Sequence, residues 1–172
     1  MLKPAIVVVV LACAAAFGAV GLTAAAGHDP APAQRAVVVE DNDGDVLASV
    51  PLHGNTFAVS YRNSIYQTLA EERYDILPGG RYRLEQIAAE QLAVLEEYYG
   101  VPGAPFKTDD ADRRNWAVPP DPAHPAVFEE LSIAATDLGE RTLHVPGEDP
   151  LPLWPLVEDE NPYIVLNIKE LQ

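Results

Sequence analysis

The residues able to do chemistry in this 172-residue chain gather between Tyr61 and Asp75. Ser64 carries a hydroxyl, Arg62 a guanidinium, and Glu71-Glu72 a pair of carboxylates. A serine nucleophile needs a base beside it and an orienting partner behind that base. The histidines are His28, His53, His124 and His144, and none stands at a spacing that implies a triad. No G-x-S-x-G elbow is present. Ser64 reads instead as a strand-end residue bonding nearby backbone. Neighbours on a strand point to opposite faces, so Glu71 and Glu72 are not expected to share an acid–base site. One of them is expected to face water. The other, taken to be Glu72, is expected half-buried and hydrogen-bonded in a polar corner with Asn63, Ser64 and Arg62, because a buried carboxylate needs partners.

Metal chemistry finds equally little support. Asp41-Asn42-Asp43-Gly44-Asp45 is acidic, but an EF-hand register with Gly44 at position 6 puts Val39 at position 1 and Val50 at position 12. Asp43-Gly44 reads as a hairpin turn. The single cysteine, Cys13, lies in an apolar N-terminal run, so the body holds neither a disulfide nor a cysteine-ligated zinc site. No catalytic residue, metal ligand set or cofactor is assigned from the sequence.

The elements that must position these groups are mostly strands. Phe57, Val59, Tyr61 and Asn63 alternate with Ala58, Ser60 and Arg62, the period of a half-buried strand. Short β-branched runs around Val37 and Val46–Leu52 precede it, giving a meander. Leu69–Leu77 returns and is ended by Pro78-Gly79-Gly80, after which Arg81–Ile87 pairs back. Ala88–Tyr99 places Ala88, Leu92, Leu95 and Tyr99 on one stripe and predicts a helix ended by Gly100. The segment 100–125, rich in proline, predicts a long loop without regular structure, with Phe106 and Trp116 as candidates for a docking loop. Phe128–Thr136, Arg141–Val145 and Pro162–Lys169 predict closing strands, the last with Ile164, Leu166 and Ile168 inward. The tyrosines spread through the first half suit sheet filling or a recognition surface.

Charge and the N-terminus bound the setting. The formal net charge is −15, which argues against nucleic-acid binding. Ala5–Ala26 is uncharged behind Lys3, and Ala24-Ala25-Ala26 offers a cleavage site. Residues 1–26 read as a signal peptide or as a membrane anchor, long enough as a helix for about 30 Å of hydrocarbon. Residues 27–34 form a Pro/Ala tether, and 35–172 the folded body. The positive flank places that body outside the membrane, whether anchored or secreted.

The run Tyr61–Tyr74, with Asn63-Ser64-Ile65 followed by Glu72-Arg73-Tyr74, resembles the family called domain of unknown function 1850. In the family pattern a His-Ser-Val-like triplet precedes a glutamate and a Gly-rich hairpin. Ser64 and Glu72 match it, and Asn63 stands where the family has histidine, which leaves imidazole chemistry at that position without its residue. The closing strands from Leu131 to Ile168 fit more loosely, and the likeness covers about two-thirds of the chain. The resemblance implies a small exported protein encoded beside the permease of a TAXI-type TRAP solute transporter, with that permease or its solute-binding protein as partner. It carries no established activity.

The expected architecture is an all-β sandwich, Ig-like in general form, of seven to eight short strands with one helix-like insert. The expected function is a non-enzymatic extracytoplasmic accessory or binding domain. The alternative is a small hydrolase or metal-dependent enzyme.

Overall fold

The computed structural model describes residues 34–99 and 103–171, without the side chains of residues 98 and 99. The signal or anchor segment, and all of the tether but Gln34, lie outside the described residues. Among the described residues no helix is long and apolar enough to cross a membrane.

The strands, in chain order, are β1 (Arg35–Glu40), β2 (Val46–Leu52), β3 (Thr56–Arg62), β4 (Leu69–Ile76), β5 (Tyr82–Ala89), β6 (Phe106–Lys107), β7 (Trp116–Val118), β8 (Val127–Phe128), β9 (Leu131–Ala134), β10 (Thr142–His144), β11 (Leu151–Pro152) and β12 (Tyr163–Glu170). They form two antiparallel sheets. The smaller runs β2-β1-β12-β9, and the larger runs β11-β10-β3-β4-β5-β7-β6, with β8 also paired to β5. The chain is thus an all-β sandwich, as its alternation predicts.

Alternation explains the layers. Phe57, Val59 and Tyr61 of β3 turn inward, as do Ile164 and Leu166 of β12. Between the sheets Phe57 stacks on Tyr74 at 5.0 Å and meets Tyr82 edge-on at 5.1 Å, a geometry that the ring quadrupoles favour. The Tyr82 hydroxyl crosses the interface and donates to the Leu166 carbonyl at 2.9 Å, joining β5 of one sheet to β12 of the other. Burial raises the pKa of this phenol, which keeps it a donor. In the first hairpin Asp41 Oδ1 accepts the amides of Asp43 and Asp45, each at 2.9 Å, and Gly44 takes φ +87°. The acidic turn therefore spends that oxygen on its own backbone.

Three expectations need correction. Ala88 and Ala89 are not helical. They end β5, opposite Glu71 and Ala70, and only a π-helical turn over Val94–Tyr99 follows. Alanine suits a helix locally, but here its small side chain fits a crowded central strand, and the ladder outweighs propensity. The segment 100–125 contains β6 and β7, and β7 pairs Val118 with Ile87, so two short pieces of the supposed loop extend the larger sheet. The run from Phe128 to Thr136 is not one strand. It breaks at Glu129-Glu130, leaving β8 in the larger sheet and β9 in the smaller. These short pieces raise the strand number above the expected seven to eight.

Tyr82→Phe removes one buried bond between the layers and little volume. It should cost ~1 kcal/mol and lower Tm by about 3–5 °C. Urea unfolding is expected to show a lower midpoint with an unchanged m-value, and an unchanged midpoint would show that the bond does not hold the layers.

Candidate functional site

The outer face of the larger sheet carries the densest polar cluster among the described residues. β3 contributes Ser60, β4 contributes Glu71 and Arg73, β5 contributes Gln86, and β10 contributes His144. The register sets Ser60 beside Glu71, Ala58 beside Arg73, and Arg73 beside Gln86. Alternation sends these side chains away from the core. Above them, the segment before β7 lies over the sheet as a strap: Asp112, Arg113 and Arg114 reach down to it.

Glu71 is the centre. Its side chain is 0% exposed, yet it pairs with Arg73 at 2.8 Å, Arg113 at 2.8 Å and Arg114 at 3.5 Å. Burial alone would raise its carboxyl pKa; hydrogen bonds from Arg113 and Arg73 outweigh this and hold it below the usual range. Arg73 also holds Asp112 through both terminal nitrogens, at 2.8 and 2.5 Å, and donates to Gln86 at 2.7 Å. That fork lowers the Asp112 carboxyl in turn. Asp112 Oδ1 also accepts the Arg114 amide at 2.9 Å and so shapes the strap. Three guanidinium groups thus face two carboxylates, a local positive excess in a strongly acidic chain.

Two side chains in this cluster are incompletely satisfied. Nε of Arg114 and Nδ1 of His144 are buried without a hydrogen-bond partner. Burial pulls the Arg114 guanidinium down from its ordinary pKa. Burial, followed by the charge of Arg113, also lowers His144, so its imidazole is neutral at pH 7. His144 Nε2 lies 2.8 Å from Ser60 Oγ. Arg113 and His144 border two depressions. One, of about 440 Å³, is also lined by Ala58, Asp75, Glu85, Gln86 and Pro146, and the other by Ser60, Thr142 and Trp154.

The expected polar corner is only partly assembled. Asn63 is buried, and its Oδ1 accepts the amides of Ile65 at 2.9 Å and Tyr66 at 3.0 Å, so it caps the β3–β4 turn. Ser64 is exposed, and its carbonyl accepts from Gln67. Arg62 pairs with Glu140 at 2.6 Å across to the turn before β10. Glu72 is not in this corner: it sits opposite Val59, well down β4, and accepts the Tyr74 hydroxyl at 2.7 Å. Glu71, its neighbour, is the glutamate withdrawn from water. Glu71 lies on the outer face, but the strap covers that face, and strand periodicity carries no information about a cover supplied from forty residues away. Of the docking-loop residues, Phe106 is exposed on β6, whereas Trp116 packs on the small cluster around Val94 and Leu95. Arg73, Arg113, Arg114 and His144 were missed. Asp112-Arg113-Arg114 within a proline-rich segment was the available signal.

Glu71→Gln should leave buried guanidinium groups uncompensated and cost about 3 kcal/mol, whereas Arg113→Ala, at a side chain 51% exposed, should cost under ~1 kcal/mol. Glu71 and Asp112 bind protons less readily folded than unfolded. Their contribution to stability is therefore complete above about pH 4.5 and is lost as pH falls through the depressed folded values. Denaturant titrations from pH 7 to 3 should show this acid loss in the parent and a flatter profile in Glu71→Gln. Compared with protein-family models, curated proteins and solved structures, the chain finds no match, and the role of the cluster is read from its own geometry.

Proposed function

We propose that this is a non-enzymatic binding domain held outside the cytoplasmic membrane, with the strap-roofed face around Glu71 as its site. The observation that carries the reading is the juxtaposition of a fully buried, arginine-clamped carboxylate with open depressions bordered by Arg113 and His144. The clamp fixes the strap, and the fixed strap gives the depressions a wall that does not have to be ordered on binding. Preorganised concavities with a few convergent polar groups suit a small solute. The export signal in residues 1–26 supports the location. The resemblance of Tyr61–Tyr74 supports a place beside a TRAP-type transporter, with its permease or solute-binding protein as partner.

The second reading, a small hydrolase, rests on the 2.8 Å approach of Ser60 to His144. Ser60, however, lies in mid-strand, paired to Thr142 on one side and Glu71 on the other, so its amide is bound up in a ladder rather than aimed at an oxyanion. His144 Nδ1 has no carboxylate behind it among the described residues.

Amide NMR of the full-length protein with pools of small polar solutes separates the readings. Binding should move signals from Ala58, Arg73, Gln86, Arg113 and His144 while a fluorophosphonate probe leaves Ser60 unlabelled. Stoichiometric labelling of Ser60 would favour the hydrolase, and solutes that perturb only distant residues would move the site elsewhere.

A further inference from the structure

The depression of about 440 Å³ has opposite charges at its two ends. At one end stands Arg113, whose Nε and one terminal nitrogen hold Glu71 at 3.2 and 2.8 Å. Its other terminal nitrogen makes no hydrogen bond among the described residues, and its side chain is half exposed. This end belongs to the cluster in which three guanidinium groups meet two carboxylates. At the other end stand Asp75 and Glu85, which share a single guanidinium, Arg83, at 3.6 and 3.0 Å. That end keeps one negative charge in excess. Between them lie Ala58, Pro146 and Gln86.

The acidic end comes from an irregularity in the sheet. Between β4 and β5 the register slips: Arg73 pairs with Gln86, but Tyr74 pairs with Leu84, and Glu85 is left over. In a regular strand Glu85 and Gln86 would point to opposite faces. The bulge turns both toward the same depression, the kind of re-aiming for which bulges at binding sites are known. Asp75 follows Arg73 on the same face of β4, about 7 Å along the strand. Asp75 and Glu85 are therefore fixed on the sheet beside Arg73, and Arg113 reaches the same depression from the strap that Glu71 anchors.

We infer that this depression binds a small zwitterion of the α-amino-acid type, its carboxylate on Arg113 and its ammonium on Glu85 and Asp75. The inference rests on the proposed binding role and names the ligand class for it. A simple anion would meet Arg113 but place no charge opposite the carboxylates, and a simple cation would leave the outer terminal nitrogen of Arg113 without a partner. A zwitterion satisfies both ends, with its side chain along Ala58 and Pro146.

The test is calorimetric titration of the full-length protein with leucine, leucinamide and N-acetyl-leucine, repeated on Glu85→Gln and Arg113→Gln. Both side chains are about half exposed, so neither change should threaten folding. Leucine is expected to bind more tightly than either derivative by about tenfold, the worth of one charge-assisted hydrogen bond. Glu85→Gln should weaken leucine and leave N-acetyl-leucine unchanged, and Arg113→Gln should weaken both. If N-acetyl-leucine or leucinamide matches leucine while Arg113→Gln still weakens binding, the zwitterion is wrong and the site remains a binding site. If none of the three binds, the zwitterion is again overturned, and the solute pools followed by NMR decide separately whether the face binds anything.

Discussion

The whole outer face of this domain depends on one buried carboxylate. Glu71 sits in the middle of an eight-stranded sheet with no exposure to solvent, where an uncompensated charge would be strongly unfavourable. It is tolerated because guanidinium groups reach it from two places: Arg73 on its own strand, and Arg113 and Arg114 on the strap. The same contacts therefore neutralise the charge and tie the strap to the sheet. Without Glu71 the strap has no anchor at its centre. Without the strap Glu71 would be an ordinary outward-facing strand residue.

The geometry of the depressions follows from that clamp. Arg73 is used three times, toward Glu71, toward Gln86 and as a bidentate fork to Asp112, so it has little freedom left. Arg113 is held only along one edge and presents the rest of its guanidinium to solvent. The division is between a saturated arginine that builds and a half-satisfied one that can bind. The β5 bulge adds the complementary charge by turning Glu85 toward the same side as Gln86.

The interior solves a separate problem. Phe57, Tyr74 and Tyr82 fill the space between the layers, and the Tyr82 hydroxyl finds its acceptor on the opposite sheet. Backbone bonds run within sheets and leave the distance between them to side chains, so a directional bond across the gap limits sliding of one layer over the other. At the end of the larger sheet the π-helical turn adds Val94 and Leu95 as a cap over Ala70 and Val118, a second small core.

Much of this was legible in the chain itself. Period-two alternation in Phe57–Arg62 and Tyr163–Lys169 is a local property, and it named both strands and, in the second, the inward face. Asp43-Gly44 marked the first hairpin because its turn chemistry is also local. Asn63 was correctly drawn to the strand end, where its side chain caps the turn. What required tertiary structure was everything that depends on a second segment arriving from far away. Ala88-Ala89 read as helix because their place opposite Ala70 and Glu71 is a pairing between strands. Trp116–Val118 read as loop because prolines surround it, though Ile87 supplies its ladder. The exchange between Glu71 and Glu72 is the sharpest case. Alternation states that they face opposite sides, but which side is dry was decided by Arg113 and Arg114, forty-odd residues on, closing over the face that periodicity alone leaves open to water.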